Sequence, residues 1–66
     1  MKNRVRELRK NQKLTQEELA NLIGISRQAI NAIEKEKFDP SLPTAFKMSK
    51  LFEIAIEELF CYEGSK

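Results

Sequence analysis

A chain of 66 residues has room for one small domain, and its core must form without staples. Cys61 is the lone cysteine, so no internal disulfide is available, and the absence of histidine removes a Cys/His zinc site. The net charge of +2 conceals an uneven distribution: Lys2, Arg4, Arg6, Arg9, Lys10 and Lys13 face a lone Glu7 near the start, while Glu53, Glu57, Glu58 and Glu63 face Lys66 near the end. A basic end suits a polyanion and an acidic end should point away from it, although either could be an ordinary solvated helix face.

No apolar run approaches the roughly 18 residues of a membrane span, and no signal-peptide core follows Met1. The expectation is a complete, cytoplasmic, single-domain chain over 1–66, with no cofactor, metal or small-molecule ligand.

In chain order, Asn3 can cap a first helix over about 4–12, with Val5 and Leu8 on its apolar side. Thr15 opens a second helix, and Glu18, three residues on, completes a capping-box spacing. Leu19, Leu22 and Ile23 recur at helical spacing before Gly24, which tolerates a left-handed helix end. Ser26 caps a third helix with Ala29, Ile30 and Ile33 as its apolar stripe, while Arg27, Gln28, Asn31 and Lys35 face elsewhere. Ala20 and Ala29 are small enough for two helices to meet closely. This pattern over 15–35 is a helix-turn-helix.

After it, Pro40 disfavours a helical Asp39 and marks a loop, with Phe38 expected to anchor that loop in the core. Ser41 caps a fourth helix that tolerates Pro43 in its first turn. Leu42, Ala45, Phe46, Ser49 and Phe52 form its expected buried stripe, flanked by Met48 and Leu51. A short fifth helix is expected over about 56–60, with the tail from Cys61 frayed. The remaining expected core members are Leu14, Ile25, Ile54, Ile56 and Leu59. With most aromatic rings assigned to the core, only Tyr62 and Phe60 are left for stacking on single-stranded nucleic acid, which argues against that role.

Counted from Gln16, alanine falls at the fifth position, glycine at the ninth, and isoleucine at the fifteenth and eighteenth. With these spacings, and with the flanking LRKNQKLTQEELA and EKFDPSLPTAFKMSKLF, nearly the whole chain resembles the phage repressor and Cro family of Xre-type DNA-binding domains. The resemblance implies an all-α, lambda-repressor-like fold of five short helices. It also implies repression of transcription by occupancy of operator DNA, usually as a dimer. That family usually places a glycine, then a serine, threonine or aspartate, before the fifth helix, where this chain has Glu53 and Ala55.

A recognition helix over about 26–35 would enter the major groove with its first residues on base edges. Arg27 can donate twice to guanine and Gln28 can pair with adenine; Asn31 lies a turn further on, and Ala32 could meet a thymine methyl. Gln16, at the head of the second helix, matches a family position where a glutamine contacts the DNA backbone and supports the recognition helix. Ser26, Lys35, Lys37, Arg9 and Lys10 are further phosphate candidates; Glu34 could pair with Arg9 or another cation of the first helix and hold the helices in register, or could be an exposed charge. The expected partners are double-stranded operator DNA and a second copy of the chain, with Phe60, Cys61 and Tyr62 at the dimer surface. The alternative is a protein-interaction module, such as an antitoxin that also binds DNA. An enzyme has little support, since the chain has neither histidine nor a glycine-rich phosphate loop.

Overall fold

The computed structural model of the chain describes residues 1–62; Glu63 and Lys66 of the acidic end lie outside them. The elements are β1 (Lys2–Asn3), α1 (Val5–Asn11), α2 (Gln16–Ile23), α3 (Arg27–Glu34), α4 (Leu42–Phe52), α5 (Ile56–Leu59) and β2 (Phe60–Cys61). The five helices are those expected. The two short strands are not: β1 and β2 pair antiparallel, Lys2 opposite Cys61 and Asn3 opposite Phe60. Thus the fifth helix stops at Leu59, and Cys61 is held in a ladder instead of fraying.

The helix starts follow their caps. Thr15 Oγ1 accepts from Glu18 N at 3.0 Å while Thr15 N donates to Glu18 Oε1 at 2.8 Å, closing the capping box. Ser26 and Ser41 cap α3 and α4 by accepting from Ala29 N and Thr44 N. Asn3, expected as the cap of α1, lies two residues before it with Arg4 at the N-cap position, and its Oδ1 accepts from Val5 N at 3.1 Å. Ala55 stands at the α5 N-cap and makes no side-chain bond.

The helix ends share one device. Lys13, Gly24, Glu36 and Glu53 have φ of 59°, 92°, 64° and 56°, each just past the end of α1, α2, α3 or α4. The following residues, Leu14, Ile25, Lys37 and Ile54, donate their N–H to the carbonyls of Arg9, Ala20, Ala32 and Ser49, five residues back. This left-handed reversal satisfies carbonyls that a helix terminus would otherwise leave open. Only one of the four positions is glycine.

The core gathers Val5 from α1, Leu19, Ala20 and Ile23 from α2, Ile30 and Ile33 from α3, Ala45, Met48 and Phe52 from α4, and Leu59 and Phe60 from the C-terminal end. Leu8, Leu14, Ile25, Leu51, Ile54 and Ile56 pack against it half-buried. Three expected core members lie outside: Phe38, Leu42 and Phe46 are exposed. On α4 the buried stripe is Ala45, Met48 and Phe52, rotated from the expected one, which leaves Leu42 and Phe46 as an exposed i,i+4 pair. Leu22 of α2 is exposed as well.

Candidate nucleic-acid interface

α2 and α3 pack closely through Ala20, Leu19, Ile23, Ile30 and Ile33, and the Gly24 turn sets their arrangement. Burying the isoleucine stripe of α3 leaves Arg27 and Gln28 exposed in its first turn, with Asn31 and Ala32 half-buried. Ser26 is exposed; its oxygen is occupied by the α3 cap. Lys35 follows α3 directly, Lys37 lies two residues further, and both are exposed.

Beside α3 is a polar notch of about 250 Å³ lined by Arg6, Arg9, Gln16, Asn31, Glu34 and Lys35. Its floor is an ion pair. Arg9 Nε donates to Glu34 Oε2 at 2.6 Å, and Arg9 Nη2 to Glu34 Oε1 at 3.2 Å. Arg9 Nη1 donates to the Leu14 carbonyl at 2.8 Å. Gln16 Nε2 donates to Glu34 Oε1 at 3.0 Å, and Asn31 Nδ2 approaches Gln16 Oε1 at 3.5 Å. Arg9 is buried, and Glu34 and Leu14 engage three of its guanidinium N–H groups, so it faces the notch as part of this network and not as a free cation. Gln16 sits at the notch, at the head of α2, where backbone N–H groups point outward.

Arg6, which was not among the expected contacts, lines the notch. It lies three positions before Arg9 and reaches the notch rim while Arg9 turns inward. The i,i+3 spacing was the available signal. Lys10 stays exposed on the same helix. Elsewhere on α1, Arg4 forks onto Glu7 through 3.2 and 3.0 Å bonds. Those bonds, and then the Arg4 charge, lower the Glu7 carboxyl pKa from its ordinary value.

A second, apolar groove of about 480 Å³ is lined by Met1, Leu42, Ala45, Ile56, Glu57, Phe60, Cys61 and Tyr62. Of the three residues expected at a dimer surface, Phe60 is buried in its own core although it lines the groove, while Cys61 and Tyr62 are exposed. Met1 is fixed at the groove by its amino group, 3.3 Å from Asp39 Oδ1. Among the described residues no helix is long and apolar enough to cross a membrane.

The Helix-turn-helix family matches residues 5–59. The uncharacterized HTH-type transcriptional regulator MJ0272 of Methanocaldococcus jannaschii is 54% identical over 66 residues, spanning 100% of both chains. The cryptic phage CTXphi transcriptional repressor RstR of Vibrio cholerae is 39% identical over 57 residues, 86% of this chain and 51% of that one. In three dimensions the chain is similar to the restriction-modification controller protein C.AhdI of Aeromonas hydrophila, with TM-score 0.76 and 37% identity over 86% of each chain. The fold, the exposed face of α3 and these relatives agree: the chain belongs to the helix-turn-helix family of DNA-binding transcriptional regulators, and is not an enzyme.

Proposed function

We propose that the protein is a transcriptional repressor that acts as a homodimer occupying a two-fold operator. The observation that carries this reading is α3, whose apolar stripe is buried while Arg27 and Gln28 stand exposed at its capped start. In the major groove Arg27 suits guanine and Gln28 suits adenine, with Asn31 and Ala32 a turn further along. Gln16, Ser26, Lys35, Lys37, Lys10 and Arg6 supply phosphate contacts, which add affinity and salt dependence but no sequence information. Repression is supported by similarity to RstR, named as a repressor.

One copy covers one half-site, so a two-fold site needs a second copy with half-sites ~34 Å apart. Its place is the apolar groove, where Leu42 is 65% and Tyr62 79% exposed. A cytoplasmic location follows from this role.

Selection of random duplex DNA by the purified protein, then titration of the selected site at two salt concentrations, tests the reading. The expected result is a palindrome whose binding weakens steeply as salt rises. Weak binding with no enriched sequence would overturn it and favour a module whose groove receives another protein.

A further inference from the structure

We propose that Glu34 is a positioning residue for base reading: through Gln16 it orients Asn31 as an adenine reader. This inference rests on the placement of α3 in the major groove. It concerns the direction of the hydrogen bonds in the notch.

The Glu34 side chain is 4% exposed, and its carboxylate can only accept. Arg9 fills one oxygen and shares the other with Gln16. Gln16 is thereby forced to turn its amide nitrogen inward. Its carbonyl oxygen then faces Asn31, whose amide nitrogen lies 3.5 Å away. The donors therefore run in one direction, from Asn31 to Gln16 and from Gln16 to the carboxylate. The carboxamide of Asn31 thus takes one orientation, in which one N–H faces Gln16. Its second N–H and its Oδ1, which accepts no bond among the described residues, form the donor–acceptor pair that matches adenine N7 and N6. Without Glu34 the Gln16 amide is free to flip and to accept Asn31 in either orientation. A flipped Asn31 offers donors alone, which suit guanine or thymine as well.

The inference is tested by selecting sites from random duplex DNA with the wild-type protein and with Asn31→Ala, Glu34→Gln and Gln16→Ala. Asn31→Ala identifies the base pair that Asn31 reads. The wild type is expected to prefer adenine there by roughly tenfold. Glu34→Gln and Gln16→Ala should both flatten that preference to under threefold while the positions lost on Arg27→Ala or Gln28→Ala keep theirs. Gln16→Ala leaves the buried ion pair whole and so separates orientation from folding. An unchanged adenine preference in Gln16→Ala, with wild-type selection intact, would overturn the positioning role alone. Failure of the wild type to enrich any sequence would overturn the groove placement beneath it.

Discussion

Arg9 Nε lies 2.6 Å from Glu34 Oε2, tying α1 to the last residue of α3 through a pair of side chains 10% and 4% exposed. A charge so sheltered is costly when its partner is removed. Glu34→Ala should destabilise the fold by about 3–5 kcal/mol, as read by urea unfolding. Replacing both residues together, Arg9→Met with Glu34→Leu, should recover most of that loss, because no buried charge is then left alone. If the double substitution were as damaging as the single one, the ion pair itself would be the stabilising element.

The left-handed helix ends give substitutions of opposite sign. Glu53 bears a side chain at φ 56°, where a glycine would be at ease. Relieving a strain of about 1–2 kcal/mol, less glycine's extra backbone entropy of about 0.5–1 kcal/mol, Glu53→Gly should stabilise by up to about 1.5 kcal/mol. Gly24→Ala should destabilise by up to about 1.5 kcal/mol by the same balance reversed, although the nearest atom to an added Cβ is Lys47 Nζ at 4.0 Å. Thermal melting of the two variants checks the pair. Equal shifts in one direction would contradict it.

The next junction offers a cap. Ala55 precedes α5 without a side-chain bond to its free N–H groups. Ala55→Ser should raise stability by about 1 kcal/mol in urea unfolding. No gain would mean that water already satisfies that helix end.

The Arg4–Glu7 pair sets a pH dependence confined to acid. Glu7 is lowered from its ordinary value of 4.5, first by the hydrogen bonds from Arg4 and then by its charge. A depressed carboxyl contributes stability above its unfolded pKa and loses that contribution as pH falls through the folded value. In an NMR titration the Glu7 carboxyl should have its midpoint below 4.5, and Arg4→Ala should return it upward. The same midpoint in both proteins would refute the assignment. Because both side chains are half exposed, the effect on overall stability should be small.

The apolar groove predicts a quaternary effect separable from folding. Leu42 is largely exposed, so Leu42→Glu should change melting by less than about 0.5 kcal/mol. It should nevertheless shift sedimentation to the monomer and weaken operator binding at least tenfold. A variant that remained dimeric would remove the groove as the dimer surface.

These relationships differ in how far the sequence announces them. Thr15 with Glu18, Ser26 and Ser41 are side chains that cap by local chemistry, and each cap forms as expected. Gly24 signals its left-handed turn, whereas Lys13, Glu36 and Glu53 adopt the same backbone without any residue type to mark it. On α4 apolar residues cover two overlapping stripes, so periodicity alone could not choose Met48 over Leu42 and Phe46; packing against the other helices decided. Arg9 read equally well as a phosphate contact or as the partner of Glu34, and only the fold brings them together across 25 residues. The terminal strands were illegible because two-residue ladders leave no alternation to detect.

If α3 reads DNA through its first turn, the sites selected from random duplex DNA by wild type, Arg27→Ala and Gln28→Ala should differ. Both side chains are exposed, so helicity and melting should be nearly unchanged. Each substitution should erase the preference at its own base pair in each half-site, a discrimination of about 1–3 kcal/mol, while affinity for unrelated DNA changes far less. Selection of the same sequence, with the same preferences, by all three proteins would contradict it.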